Sequence, residues 1–180
     1  MKIKLVAALL ALGAAGCGGA STAKTPEAAK ATSPATTVPS TAASTTAATA
    51  TPDAAAVVAS IRAAGIPVAG VFIVTEANDG NHLLGRPNGY SSKEVVTDSR
   101  VLAADRGEAG GVDQGASVEV YPDAAGAKAR AAYLASFGKT STLLVNEYDY
   151  VRGGVLVRVT GKLTPTQAKS YKAVVDALPA

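Results

Sequence analysis

The chain predicts an α+β fold, a single small sandwich in which a mostly antiparallel sheet of about five strands packs with three helices. Three observations predict it: helical and strand signals alternate after Thr51, a two-glycine step in Arg152-Gly153-Gly154 demands a hairpin, and capping residues punctuate three amphipathic stretches.

The first helix opens with Thr51 as N-cap, Pro52 at the first helical position and Asp53 in the first turn. Val57, Val58, Ile61 and Ala64 share one face, and Gly65 closes it. Val68 to Glu76 reads as a strand. Its run Val71-Phe72-Ile73-Val74 is apolar on both faces, which predicts a central strand. Glu94 to Asp98 is a weaker strand, and Ser99 to Gly115, charged and Gly-rich, reads as a loop. Ser117 to Tyr121 is a clearer strand. Asp123, after Pro122, caps a helix through Phe137 with Ala127, Ala131, Leu134 and Ala135 on one face and Gly138 as its stop. Leu143 to Val151 and Val155 to Thr160 form the hairpin strands, the second with Val155, Val157 and Val159 toward the core. Thr164-Pro165-Thr166-Gln167 is a capping box opening a helix that stripes Ala168, Tyr171, Val175 and Leu178 on one face.

Ahead of these elements the composition changes. Lys2 and Lys4 precede an apolar stretch from Leu5 to Ala15, which spans about 16 Å as a helix and falls short of the roughly 30 Å hydrocarbon core. That is the architecture of an export signal. Ala14-Ala15-Gly16-Cys17 resembles the lipobox of bacterial lipoproteins, with Ala14 where the pattern prefers Leu. The resemblance implies cleavage between Gly16 and Cys17 and lipidation of Cys17, the single cysteine of the chain. Fatty chains there anchor a protein to the extracytoplasmic face of the cell membrane. Gly18 to Ala50 is low-complexity Thr, Ala, Ser and Pro, too polar to bury surface, with a reach of about 30 Å. The organisation expected is therefore a signal peptide over 1–16, a lipidated cysteine and tether over 17–52, and a globular domain over 53–180.

The formal charge of +3 sits outside that domain. Removing Lys2, Lys4, Lys24 and Lys30 from the 17 basic residues, and Glu27 from the 14 acids, leaves 13 of each. A domain neutral overall has no electrostatic footprint for a phosphate backbone, so no nucleic-acid partner is expected.

Chemistry-bearing clusters are sparse. With one histidine and no cysteine in the domain a zinc site lacks ligands; a Ser-His-acid triad would have to use His82, but no G-x-S-x-G elbow exists, and no Gly-rich nucleotide cradle is present. No cofactor, metal or catalytic residue is expected. Glu76-Ala77-Asn78-Asp79-Gly80-Asn81 gathers oxygen donors but lacks the acid spacing of a calcium loop and reads as a turn. Glu147 and Asp149, two apart on one strand face, read as a solvent face, or alternatively as a carboxylate pair. The segment 78–93 mixes polar residues with leucines, an arginine and a tyrosine. It is the candidate binding loop, with Asp79, Asn81, His82, Arg86, Tyr90 and Lys93 as contacts, or else a loop that Leu83 and Leu84 merely fasten to the core.

Leu83-Leu84-Gly85-Arg86-Pro87 with Tyr90 and Asp98, Ser117 to Tyr121, Tyr148 through Arg158, and Leu163-Thr164-Pro165 with Gln167-Ala168 together resemble a group of small actinobacterial secreted proteins and lipoproteins of unknown function. The resemblance spans about residues 66–178 and implies location without activity. The expectation is a membrane-anchored, non-catalytic envelope module that binds a protein, a peptide or a wall component. The alternatives are a carboxylate-dependent hydrolase and a secreted soluble protein that binds a small ligand.

Overall fold

The structure, a computed structural model, describes residues 51–140 and 146–180. The leader, Gly16, Cys17, the tether to residue 50, and residues 143–145 of the expected strand lie outside the described residues.

Three helices and five strands follow in the order α1 (Ala54–Ala63), β1 (Val68–Ile73), β2 (Ser92–Asp98), β3 (Gly115–Val120), α2 (Ala124–Thr140), β4 (Glu147–Arg152), β5 (Val155–Thr160) and α3 (Pro165–Ala177). The strands form one sheet in the order β1-β2-β3-β5-β4, and every neighbouring pair is antiparallel. The fold is α+β. Helices α1 and α3 cover one face, and α2 packs on the other over β4 and β5.

Alternation along the strands builds the two faces. Val96 of β2, Ala116, Val118 and Val120 of β3, and Val155, Val157 and Val159 of β5 meet Val57, Val58 and Ile61 of α1 and Ala168, Tyr171, Val174 and Val175 of α3. This is the main core, as the valine pattern predicts. On the opposite face Leu156 joins Tyr90, Tyr121, Ala127 and Leu134 in a smaller cluster. Each fully buried side chain of this size contributes about 1.5–3 kcal/mol.

Several expectations are corrected. Asp53, not Thr51, caps α1: its backbone is extended and its carboxylate accepts from the Ala56 N–H at 2.8 Å, a negative charge at the positive end of the helix. β1 is an edge strand rather than a central one. It pairs only with β2 and ends at Ile73, which is 62% exposed. Its second apolar face is used locally, with Phe72 lying close to Gly110. β2 is an interior strand, buried along most of its length although it carries Lys93, Glu94 and Asp98. α2 runs past Phe137 and Gly138 to Thr140, and Ala135 of the expected inner face is exposed. The β4–β5 hairpin turns on Gly153, whose φ of +51° suits a glycine.

A buried carboxylate holds α3 to the sheet. Asp98 at the end of β2 accepts from the Tyr171 hydroxyl at 2.8 Å and from the Arg100 guanidinium at 2.6 Å. Burial opposes its ionisation, but the Arg100 and Tyr171 hydrogen bonds outweigh that and depress its pKa. At the start of α3 the capping box forms in full: the Thr164 hydroxyl accepts from Gln167 N, and the Gln167 side chain accepts from Thr164 N at 2.8 Å. Replacing Thr164 by Ala removes one half of the box. The expected loss is about 1 kcal/mol of unfolding free energy, read from the urea midpoint at unchanged denaturant slope.

Candidate functional site

The charged groups of the domain concentrate on the sheet face turned toward α2. Register places Lys93 of β2 opposite Glu119 of β3, and Ser117 of β3 opposite Arg158 of β5, which in turn faces Asp149 of β4. All of these are second-face positions, because Val118 and Val157 between them point into the main core.

Glu119 is the centre. It is 0% exposed, and it accepts from Arg158 Nη1 at 3.1 Å, from Arg130 Nε of α2 at 3.3 Å and from the Tyr121 hydroxyl at 2.9 Å. Lys93 Nζ lies 3.9 Å away and 5.3 Å from the centroid of the Tyr90 ring. Arg158 also grips Glu147, with Nη2 2.9 Å from Oε2. Three cations and two carboxylates thus compensate one another where water is excluded. Burial lowers the Lys93 pKa and the Glu119 charge opposes that shift.

The expectation of a solvent face at Glu147 and Asp149 is overturned. Glu147 is clamped by Arg158, and Asp149 Oδ1 is buried without a hydrogen-bond partner among the described residues. Burial first, and then the Glu147 charge, push the Asp149 carboxyl up to about 6. Tyr148 and Tyr150, on the other side of β4, pack against the main core.

The 78–93 segment divides by role. Asp79 organises it: Oδ2 accepts from Leu83 N at 2.8 Å and Leu84 N at 2.9 Å, while Oδ1 accepts from Asn81 N at 3.1 Å and from the Tyr90 hydroxyl. Burial would raise its pKa, but these four hydrogen bonds outweigh it and hold the carboxyl at about 2. Tyr90 is fully buried, stacked edge-on to Tyr121 at 6.1 Å, and burial together with Asp79 raises its hydroxyl pKa. Lys93 belongs to β2. Asn81, His82 and Arg86 stay exposed, His82 with a φ of +53°. Leu83 and Leu84 pack on the second cluster, so the loop is fastened to the sheet. Asn78 closes the preceding turn, accepting from Thr75 N and donating to Ile73 O. The donors of this turn therefore serve the backbone. Among the described residues no group of three His, Cys, Asp or Glu side chains could hold a metal ion.

Between this loop and α2 runs a groove of about 830 Å³. The loop contributes Gly80, Asn81, Leu83, Asn88 and Gly89, and the other wall carries Pro122, Gly126, Arg130 and Tyr133. Gly89 must lack a side chain, since a Cβ there would stand 1.8 Å from the Leu83 carbonyl oxygen. Tyr133 is 56% exposed, with the Arg130 guanidinium 5.6 Å from its ring centroid. Of the residues expected in a binding loop only Asn81 lines this groove. The helix side was missed, although Arg130 lies between Ala127 and Leu134 at helical spacing and so shares their inner face.

Two predictions follow from the charge network. Glu119→Gln leaves cations without their shared acceptor and lowers stability by about 3 kcal/mol, whereas Lys172→Ala, which breaks an exposed i,i+4 pair with Asp176, changes it by less than about 0.5 kcal/mol in the same urea titration. For Asp149 the folded-state pKa lies above the unfolded value. Its favourable contribution is complete below about pH 4 and is lost as pH rises through about 6. Asp149→Asn therefore flattens the decline between those limits and is the more stable protein at pH 7 by about 1–2 kcal/mol, allowing for partial solvent screening. Comparison with protein families, with curated proteins and with solved structures finds no match to this chain.

Proposed function

We propose that this chain is a lipid-anchored binding module on the extracytoplasmic face of a bacterial cell membrane, akin to the small actinobacterial lipoproteins that its motifs resemble. The leader, Gly16-Cys17 and the tether support the anchoring; the groove beside Tyr133 carries the binding role. A largely exposed aromatic ring next to a cation, facing a loop that is held rigid by Asp79 and Tyr90, offers a preorganised surface for a peptide or wall chain. The buried charges form a scaffold under that surface. Glu147, engaged by Arg158, is not poised for acid–base chemistry in this reading, which favours a binder over the hydrolase alternative.

Mass spectrometry of the native protein tests the anchor: an amino-terminal Cys17 bearing fatty chains is expected, and a Cys17→Ser protein is expected in the soluble fraction. A leader cut elsewhere with an unmodified thiol refutes the anchoring. Cosedimentation with purified cell-wall material tests the groove. Tyr133→Ala is expected to weaken retention at least fivefold with stability unchanged, while Arg86→Ala, outside the groove, is expected to behave as wild type. Equal retention of all three proteins removes the groove from the role.

A further inference from the structure

A second concavity lies over the same sheet face, on the other side of the Asp79–Asn81 turn from the groove. It has a volume of about 530 Å³ and lies between that turn and the segment 108–112. Lys93, Ser117 and Arg158 line it with Asp79 and Glu108 as its acids, and its apolar lining includes Phe72, Val74 and Val112.

The polar part has unused capacity. Lys93 is only 6% exposed, yet its ammonium makes no hydrogen bond among the described residues; Glu119 at 3.9 Å is an ion-pair contact beyond hydrogen-bond length. Ser117 is 1% exposed and its hydroxyl has no hydrogen-bond partner among the described residues. A fully buried hydroxyl without an acceptor is costly unless something in the cavity accepts from it, and the Lys93 ammonium beside it has donors to spare. The nearest acid of the turn does not serve. Asp79, on the rim, has both oxygens committed to Asn81, Leu83, Leu84 and Tyr90.

We propose that this cavity binds a small organic carboxylate, its oxygens accepting from Lys93 and Ser117 beside Arg158 and its apolar portion lying against Phe72, Val74 and Val112. A single negative charge fits better than two. Lys93, Arg130 and Arg158 already face Glu119 and Glu147, and Asp79 and Glu108 stand on the lining, so a phosphate dianion is opposed more strongly than a monoanion. Paired oxygens accepting charge-assisted hydrogen bonds beside an apolar wall match a carboxylate. The proposal is independent of the groove beside Tyr133, which shares only the Gly80-Asn81 wall with this cavity.

Calorimetric titration of the full-length protein tests it with hexanoate, hexanamide, N-acetyl-alanyl-alanine, the carboxy-terminal amide of that dipeptide, and inorganic phosphate. Saturable one-to-one binding of hexanoate or of the free-acid dipeptide is expected, at least tenfold tighter than the matching amide. Preference for hexanoate identifies a free acid as the ligand source, and preference for the dipeptide identifies a peptide terminus. Lys93→Met is expected to weaken binding at least tenfold and Ser117→Ala about threefold. The serine variant decides the matter if the lysine variant fails to fold, because the Ser117 hydroxyl holds nothing in place. Absence of carboxylate binding, equal binding of acid and amide, tighter binding of phosphate, or unchanged affinity in a folded Ser117→Ala protein overturns the proposal.

Discussion

The buried Glu119 carboxylate holds the second face of this sheet together. It draws Lys93 from β2, Arg158 from β5 and Arg130 from α2 to one point on β3, so three elements besides its own converge on two oxygens. Without these partners the buried carboxylate would carry an uncompensated desolvation cost, and the cations would lose their shared acceptor. The contact from Arg130 also fixes how α2 lies on the sheet. Its inner face otherwise offers small alanines and Leu134, which slide more easily than an ion pair with defined geometry.

The two faces solve burial in different ways. Beneath α1 and α3 the side chains are mostly valine, with alanine, isoleucine, leucine and tyrosine, and Asp98 is a buried polar tie to α3. Opposite them, the same strands present Lys93, Ser117, Glu119, Arg158 and Asp149 under partial cover from α2 and two loops. That cover leaves both concavities on the charged side, divided by the Asp79–Asn81 turn. Asp79 is thus a structural residue with functional consequences: four hydrogen bonds to one carboxylate keep the wall between groove and cavity in place.

Legibility differed by element for physical reasons. Val155 to Thr160, the glycine turn before it and the Thr164 capping box were readable because their determinants are local: side-chain alternation, positive φ and hydrogen bonds three residues apart. β1 was misplaced because an apolar run looks the same on an edge as in the centre. β2 was undervalued because Lys93, Glu94 and Asp98 depress strand signals, and their partners lie far along the chain on other elements. Tyr90 and Lys93, expected as contacts of a binding loop, are buried beneath it. Glu147 and Asp149 misled in the same way, since alternating charge on a strand ordinarily faces water.

Sequence alone determined the neutral charge of the domain, the α+β class and most of the residues that face the main core. These depend on composition and on periodicities within a few residues. Only the tertiary structure decided that the polar alternation of β3, β4 and β5 is buried rather than solvated, because register brings opposite charges from distant segments into contact. Whether a charged side chain is solvent-facing or a keystone depends on what packs above it, and that is a property of the assembled sheet and not of any one strand.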